Sequence, residues 1–241
     1  MRLDSYLVEN NLAESRNKAQ QLIINSAVCV NNNIITKNGF LVNENDVIEI
    51  VKSVCPYVSR AGLKLEGAIK SFDINLQGKV ILDIGSSTGG FSDCALKHGA
   101  KKVYALDVGT NQLHPSLIKN EKVVKLENTD IRVLEKNIVE DLNFIICDVS
   151  FISLTKISHK ISEFLQTGAY AIVLIKPQFE CGNTLAKKFK GVIKDEKIHK
   201  MIISDIKEDF LSKRLEISKI EKSCIQGSDG NIEYVALLRK L

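Results

Sequence analysis

A glycine-rich corner between a strand and a helix constrains the fold of this chain more than any other stretch. Residues 79–82 read Lys-Val-Ile-Leu, an apolar run typical of a buried strand, and residues 92–96 read Ser-Asp-Cys-Ala-Leu, typical of the first turns of a helix. The stretch between them, from Asp83 to Phe91, reads DIGSSTGGF. Glycine lets the backbone come close to a ligand, and a helix start offers unpaired N–H groups. We therefore predict a ligand-binding corner of the nucleotide type.

The spacing of these glycines narrows the class of ligand. No Lys-Ser or Lys-Thr follows the last glycine, which excludes a P-loop, and the dinucleotide pattern G-x-G-x-x-G is not met. An acidic strand end followed by Gly-x-x-x-Gly-Gly fits the corner at which doubly wound methyltransferases bind S-adenosylmethionine (SAM). SAM carries no phosphate, so the turn needs no cation, and its ammonium group can meet Asp83 directly or through water. A plain strand-to-helix turn is the alternative explanation.

A second strand supports the prediction of a SAM site. Residues 102–109 read KVYALDVG and contain an acid, Asp107, about two dozen residues after Asp83. A doubly wound fold places a carboxylate at this point on the hydroxyl pair of a ribose. The alternative is an aspartate that is simply solvated at the end of its strand.

The composition fits one large domain and a small one. The chain has 241 residues, 44% of them apolar, and no apolar run approaches the roughly 18 residues that span a bilayer. The six cysteines form no C-x-x-C pair and the four histidines are dispersed, so we expect neither a metal site nor a disulfide framework. The first residues contain no apolar signal stretch, and we expect a soluble, cytoplasmic protein. A net charge of +4 permits an anionic partner without proving one.

Residues 1–52 are predicted to form a separate small α+β module. Two helices, opening near Arg2 and after an N-cap at Ser15, precede short strands around residues 27–31, 34–37 and 46–50. From Met1 to Arg60, six basic residues are balanced by six acidic ones. Charge alone therefore does not predict RNA binding, and any basic patch must come from geometry.

Residues 64–241 are predicted to form a Rossmann-like, doubly wound α/β sheet. A linker over residues 53–63, which contains Pro56, joins it to the first module. Further strands are predicted at 122–127, 143–148 and 169–177, and helices at 153–165 and 194–212. A C-terminal antiparallel hairpin over 216–238, turning at 226–230, closes the sheet.

The ends of the predicted strands carry the residues suited to chemistry. Ligands of an open α/β sheet lie outside the C-terminal strand ends, where Asp148 and Lys176 also fall. The two form either a structural ion pair or a site in which the lysine is a base. A ribose 2′-hydroxyl must lose its proton to attack a methyl group, and a lysine base must lie below its usual pKa of about 10.4 to accept it. Burial and a second lysine, Lys64, would lower the pKa of Lys176, and Glu233 on the last strand would orient or counterbalance the pair.

The first fifty residues resemble the RNA-binding module named after ribosomal protein S4. The strings RLDSYL, AESRNKAQQLI, VCVNNNIITKNG and ENDVIEI carry this resemblance. It implies that Arg2, Arg16, Lys18 and Lys37 are candidates for contacts with RNA phosphates. Arg60 is also predicted to contact RNA.

The whole chain resembles the TlyA family of ribosomal RNA cytidine 2′-O-methyltransferases, once labelled hemolysins. The strings SRAGLKL, LDIGSSTGGF, ALDVG, CDVSFISL, LIKPQFE and GNIEY carry the resemblance. Lys64, Asp148, Lys176 and Glu233 match the Lys-Asp-Lys-Glu tetrad of FtsJ-like 2′-O-methyltransferases. This implies Lys176 as general base, Lys64 and Asp148 as residues that tune and hold it, and Glu233 as support. SAM is the implied cofactor, and the residues predicted to lie near it are Asp83, Gly85, Ser87, Gly89, Gly90, Phe91, Asp107 and Asp130.

The expected partner is ribosomal RNA or a ribosomal subunit, with no membrane, and a monomer is favoured. Shorter members of the family, which this chain resembles, are associated with large-subunit RNA alone and longer ones with both subunits, so we expect the large subunit. One alternative is a non-catalytic ribosome-assembly factor, against which the intact tetrad argues. Another is a membrane-lytic hemolysin, against which the lack of a signal or spanning segment argues. A small-molecule methyltransferase would not need the N-terminal module.

Overall fold

The protein divides into two units, which are described separately. The computed structural model describes residues 1–24, 27–31, 33–51, 55–182, 189, 191–227 and 230–241. The first unit is Met1–Arg60 and the second is Ala61–Leu241. Residues 52 and 53, at the predicted end of the first module, and residues 228–229 of the predicted hairpin turn lie outside the described residues. The domain limits 1–52, 53–63 and 64–241 stay predictions; the helix that carries Lys64 begins at Ala61, inside the predicted linker.

The first unit packs two helices with a small antiparallel sheet. Its elements are α1 (Leu3–Glu9), α2 (Arg16–Ile24), β1 (Val28–Val30), β2 (Asn33–Ile34) and β3 (Ile48–Ile50), with sheet order β2-β1-β3. Ser15 Oγ accepts the Lys18 N–H at 3.3 Å, as expected of an N-cap. The last strand starts later than predicted because Asp46 caps a turn instead, accepting the Asn43 N–H at 2.8 Å. Apolar residues of both helices and of β1 form the core: Leu3, Leu7, Ala19, Ile23, Val28 and Val30.

The second unit is a seven-stranded sheet flanked by helices. Its helices are α3 (Ala61–Phe72), α4 (Gly90–Lys97), α5 (Pro115–Ile118), α6 (Ser158–Phe164), α7 (Pro177–Glu180) and α8 (Glu196–Ser212). Its strands are β4 (Val80–Ile84), β5 (Lys102–Leu106), β6 (Val123–Leu126), β7 (Phe144–Cys147), β8 (Tyr170–Ile175), β9 (Leu215–Lys222) and β10 (Tyr234–Lys240).

The order of the strands confirms the predicted fold class. The sheet runs β6-β5-β4-β7-β8-β10-β9, and the pairs from β6 to β8 are parallel. β10 is antiparallel to both β8 and β9, which is the predicted C-terminal hairpin. The chain leaves β4 towards β5 on one side and returns to β7 on the other, so the order reverses between β4 and β7. A doubly wound sheet binds ligands in the crevice at this reversal.

The core explains why the central strands are almost continuously apolar. β4, β7 and all but the first residue of β8 are buried, as is usual for parallel strands covered on both faces. On α8, Ile202, Ile206 and Phe210 are buried at helical spacing. The predicted helix at 153–165 is divided, because Ser153 Oγ accepts the Thr155 N–H at 3.2 Å and starts a 3₁₀ turn before α6.

Two further features concern the described ranges only. None of the helices in these ranges is long and apolar enough to cross a membrane. Within the same part of the chain, no three His, Cys, Asp or Glu residues form a group that could hold a metal ion.

Candidate active site

The chain comes close to itself where β4 and β7 end. Ile84 pairs with Cys147, and Gly85 follows directly with a φ of +82°. A Cβ at position 85 would lie 2.8 Å from the backbone oxygen of Asp148. Only glycine fits here, since the site demands both a left-handed backbone and a close approach. The two strands thus open into a crevice at the point where the strand order reverses.

A cavity of about 660 Å³ lies in this crevice. This size is in the range of small-molecule and cofactor sites. Four of the residues predicted near SAM contribute to its wall, namely Gly85, Ser87, Asp107 and Asp130, and Asp148 joins them. Residues that the sequence analysis did not single out also line it: Ile84, Leu106, Val108, Gln112, Ile131, Arg132, Val149, Ser150, Phe151, Ile152 and Ile157.

Asp107 connects two loops of the cavity wall. Its Oδ2 accepts the backbone N–H of Ser87 at 2.8 Å, and its Oδ1 accepts that of Gly109 at 2.7 Å. Each carboxylate oxygen still has acceptor capacity, because an ionised carboxylate offers about four lone-pair sites. Asp107 therefore braces the glycine corner and can also accept hydroxyl groups of a ligand.

Asp83 lies inside β4 rather than beyond its end, and it is fully buried. Ser92 Oγ donates to its Oδ2 at 2.6 Å, while its Oδ1 has no hydrogen-bond partner among the described residues. Burial raises the pKa of this carboxyl to about 7. Asp83 is not one of the described residues that line the cavity. Its unpartnered oxygen, with that of the buried Ser86 hydroxyl nearby in the chain, suits a ligand with a cationic, hydrogen-bonding end such as SAM.

The rest of the glycine corner starts helix α4. Gly89 has a φ of +94°, and a Cβ there would lie 2.8 Å from Leu113 Cδ1. Gly90 begins α4 and Phe91 is buried in the unit. None of these three is among the described lining residues of the cavity, and their proximity to SAM stays a prediction.

Glu127 shapes the loop that supplies Gln112 to the cavity. Its carboxylate accepts the backbone N–H groups of Asn111, Gln112 and Leu113 at 2.7, 2.9 and 3.0 Å. These hydrogen bonds, that of Leu113 first, lower the pKa of Glu127 to about 2. Glu127 was not predicted from the sequence, because nothing in its spacing reveals that three backbone amides of a loop point at its carboxylate.

The predicted tetrad forms two short ion pairs. Lys176 Nζ lies 2.6 Å from Asp148 Oδ1 and donates to Ser150 Oγ at 2.9 Å. Lys64 Nζ lies 2.6 Å from Glu233 Oε2. The side chains of the two lysines are only 8% and 11% exposed. Each buried lysine nitrogen therefore has its own carboxylate, as a buried charge would require.

The sheet register brings the tetrad to one edge. β7, β8 and β10 are neighbours, and Asp148 and Lys176 directly follow β7 and β8. Tyr234 pairs with Ile175 in the antiparallel contact between β10 and β8. Glu233, just before Tyr234, and Lys176, just after Ile175, therefore lie opposite each other. Lys64, on the first turn of α3, joins the group through Glu233. The structure thus collects the four residues that the sequence analysis chose from distant positions, although it pairs Lys64 with Glu233 rather than placing it directly on Lys176.

Two further residues of the cavity wall, Phe151 and Arg132, were missed. Phe151 is 91% exposed with a φ of +65°, and its ring centroid lies 5.0 Å from that of Phe179. Arg132 pairs with Asp130 at 2.5 Å on the cavity wall. An exposed aromatic ring on a strained backbone points to a functional surface. Phe151 is part of the string CDVSFISL, but the sequence does not show which residue of a loop is exposed.

The predicted RNA-contacting residues all belong to the first unit. Arg2 and Arg16 both donate to the buried carboxylate of Asp4, whereas Lys18 and Lys37 are exposed and Arg60 is half-buried. The sequence analysis did not include Asp4, because it counted the acid only as a charge that balances a base.

Comparison with known proteins agrees with both units. The model of the S4 domain matches residues 1–48, and that of the FtsJ-like methyltransferases matches residues 57–240. Hemolysin A of Brachyspira hyodysenteriae is 42% identical over 238 residues, which cover 98% of each chain. The 23S rRNA (cytidine-2′-O)-methyltransferase TlyA of Campylobacter jejuni is 38% identical over 253 residues, covering 97% of each chain. A solved structure from Streptococcus thermophilus that carries the name hemolysin is 33% identical with a TM-score of 0.77, over all of this chain and 88% of its own.

The fold, the glycine corner and the strand-end carboxylates define a SAM-dependent methyltransferase. This chain belongs to the FtsJ-like methyltransferase family and carries an S4 domain at its N-terminal end. It is therefore an enzyme, and SAM is its methyl donor.

Proposed function

We propose that this enzyme methylates the ribose 2′-hydroxyl of a cytidine in ribosomal RNA, in the large subunit, with Lys176 as the general base. The observation that carries the proposal is the pair of buried lysine–carboxylate contacts at adjacent strand ends, one of whose carboxylates, that of Asp148, lines the cavity. A methyltransferase that acts on a more reactive nucleophile, such as a thiolate, would not need a buried amine base beside its cofactor.

The main catalytic task of the protein is to remove the proton of the ribose hydroxyl. SAM supplies a methyl group on a positively charged sulfur, and the ribose hydroxyl must lose its proton to take it. Lys176 Nζ, in its neutral form, accepts this proton. Asp148 Oδ1 at 2.6 Å and Ser150 Oγ at 2.9 Å hold the nitrogen in place and stabilise the ammonium that forms. Lys64 and Glu233 support this geometry from the neighbouring strand.

Features on both units support RNA as the substrate. The S4 domain supplies basic residues, and Phe151 supplies an exposed ring three residues after Asp148. RNA-modifying proteins stack unpaired bases on such aromatic rings. We assign Phe151 the contact with the target base, whose ribose then meets Lys176.

The choice of cytidine and of the large subunit follows the relative that matches over nearly the full length of both chains. The Campylobacter jejuni protein named for 23S rRNA and cytidine 2′-O-methylation matches this chain over nearly the full length of both. This part of the proposal rests on that similarity, and the experiment below tests it.

The test is the transfer of labelled methyl from SAM to purified large subunits, small subunits and free ribosomal RNA. We compare the wild type with Lys176→Ala and with Lys101→Ala. Lys101 is an exposed lysine just before β5, at the N-terminal end of that strand, whereas the site lies at the C-terminal ends of the parallel strands. Its loss therefore changes the net charge by the same amount without touching the site. We expect label in large-subunit RNA, a loss of at least a thousandfold in Lys176→Ala, and no loss in Lys101→Ala. SAM binding should survive in both variants.

The position of the methyl group is read separately. A 2′-O-methyl group blocks alkaline cleavage at its nucleotide, and nucleoside mass spectrometry identifies the base. Label on a base, or substantial activity of Lys176→Ala, would contradict the proposed reaction. Binding of SAM without transfer to any RNA would favour an assembly factor.

A further inference from the structure

A single buried carboxylate organises the basic end of the S4 domain. Asp4 is fully buried, and four N–H groups from three side chains converge on it. Arg2 forms a two-point contact through Nε and Nη2, each at 3.0 Å. Arg16 Nε donates at 3.1 Å and Gln20 Nε2 at 3.0 Å, both to Oδ2.

The arrangement leaves about half of each arginine side chain exposed. Arg2 is 47% exposed and Arg16 is 57% exposed, although the carboxylate between them is buried. An arginine has five N–H donors, so Asp4 uses two of those on Arg2 and one on Arg16. Among the described residues, the other seven donors of the two groups make no hydrogen bond, which leaves them to a partner rich in acceptors.

Both arginines stand at positions that are electrostatically unfavourable for a cation. Arg2 directly precedes α1 and Arg16 is the first residue of α2, and a helix start disfavours a cation. One carboxylate cannot neutralise two guanidinium groups, so the cluster keeps a net positive charge. The guanidinium of Arg2 also lies against Gly39, where a Cβ would be 3.4 Å from its Nη1, which further fixes its place.

We infer that Asp4 is a positioning residue, which orders Arg2 and Arg16 into a preformed site for neighbouring phosphates of RNA. Arginine forks match phosphate oxygens, and a long side chain that is already ordered loses less entropy on binding. The acid thereby strengthens binding to a polyanion, although its own charge opposes it. The Arg2 guanidinium holds the pKa of Asp4 well below its usual range, so the carboxylate stays charged at working pH.

This inference rests on the proposed function for its ligand, RNA, but its test is separate from methyl transfer. We compare full-length wild type with Asp4→Asn and with Glu14→Gln, an exposed acid of the same domain. Both variants raise the net charge by one. The probe is a fluorescein-labelled RNA hairpin, titrated by anisotropy between about 50 and 200 mM KCl.

The two variants should behave in opposite ways. Asp4→Asn should weaken binding roughly tenfold, since two arginines must then be ordered on binding, and should make the salt dependence shallower by about one contact. Glu14→Gln should bind as tightly as wild type or more tightly, as simple charge predicts. Equal or tighter binding by Asp4→Asn, or no RNA binding by the wild type, would overturn the inference.

Further variants separate positioning from folding. If Asp4 acts through the arginines, Asp4→Asn should cause no further loss in an Arg2→Gln/Arg16→Gln background. If Asp4→Asn does not fold, Arg2→Lys and Arg16→Lys keep the charge but lose the fork, and each should weaken binding severalfold. Lysine variants that bind like wild type would then contradict the inference. Loss of binding in Asp4→Asn without methyl transfer by the wild type would leave the inference intact and remove the proposed function alone.

Discussion

At the scale of single residues, ionised Asp83 lowers the stability of the folded protein, and we propose that its carboxylate binds SAM. A buried carboxyl with one unpartnered oxygen costs stability whenever it is ionised, and its pKa is raised to about 7. A carboxyl in an unfolded chain titrates near 3.9. Between about pH 4 and 7 the folded state therefore binds more protons than the unfolded state, so the contribution of Asp83 to stability falls as the pH rises through this window. Contact between the ionised carboxylate and the ammonium of SAM would offset this loss of stability.

We predict that Asp83→Asn removes this pH dependence. The variant should gain stability relative to the wild type as the pH rises from 4 to 8, by an amount on the order of 4 kcal/mol at most, since one pKa unit corresponds to about 1.4 kcal/mol. At the same time it should bind SAM at least tenfold more weakly. Urea unfolding across this pH range measures the first effect, and calorimetric titration with SAM measures the second.

Ser92→Ala serves as the control for Asp83→Asn. It removes the hydroxyl that donates to Asp83 Oδ2 but keeps the carboxyl. It should therefore destabilise the protein most at high pH, the opposite trend. An Asp83→Asn variant whose stability follows the wild type at every pH would contradict the raised pKa, and undiminished SAM affinity would remove the role in binding.

At the scale of elements, the strand ends were predictable from the sequence and the loops were not. Asp107, Asp148 and Lys176 each follow an apolar run, and parallel strands must bring their C-terminal ends to one edge. Ser150 and Phe151 belong to a loop, where no period links position to direction. The predicted helix at 153–165 is not a single element for a similar reason, because the side chain of Ser153 accepts the backbone N–H of Thr155.

The loop that carries Gln112 should depend on Glu127. Three consecutive N–H groups turn towards its carboxylate, and an amide oxygen accepts such bonds more weakly. We predict that Glu127→Gln weakens SAM binding about tenfold by loosening one wall of the cavity, while the overall fold remains. Calorimetric titration with SAM measures the change.

Glu121→Gln provides the comparison for Glu127→Gln. Glu121 is exposed and precedes β6, whereas Glu127 follows it. The charge change is the same, and SAM affinity should stay at the wild-type level. Equal affinities in the two variants would show that the loop holds its shape without Glu127.

At the scale of the whole molecule, the two units have separate cores, and we propose that they have separate tasks. The first unit buries a cluster around Leu3, Ile23 and Val28, and the second buries a larger one around its sheet. The tetrad and the cavity proposed for SAM belong entirely to the second unit, and the Asp4 cluster belongs entirely to the first. The motifs of the two domains reveal this division in the sequence. The balanced charge of the first sixty residues gives no sign of the proposed phosphate site at Arg2 and Arg16. Only the fold shows that one of the six acids is buried beneath two arginines.

Removal of residues 1–52 should therefore separate RNA capture from chemistry. Two sites on one chain raise each other's local concentration, a gain of about 10²–10⁴ that is lost when one is deleted. We predict that the truncated protein binds SAM as the wild type does, but that its kcat/KM for ribosomal RNA falls by a factor in this range. Higher RNA concentrations should recover part of the rate, because the tetrad is intact. Full-length Arg2→Gln/Arg16→Gln should show a smaller loss of the same kind. A truncated enzyme that methylates ribosomal RNA at the wild-type rate would mean that the first unit does not deliver the substrate.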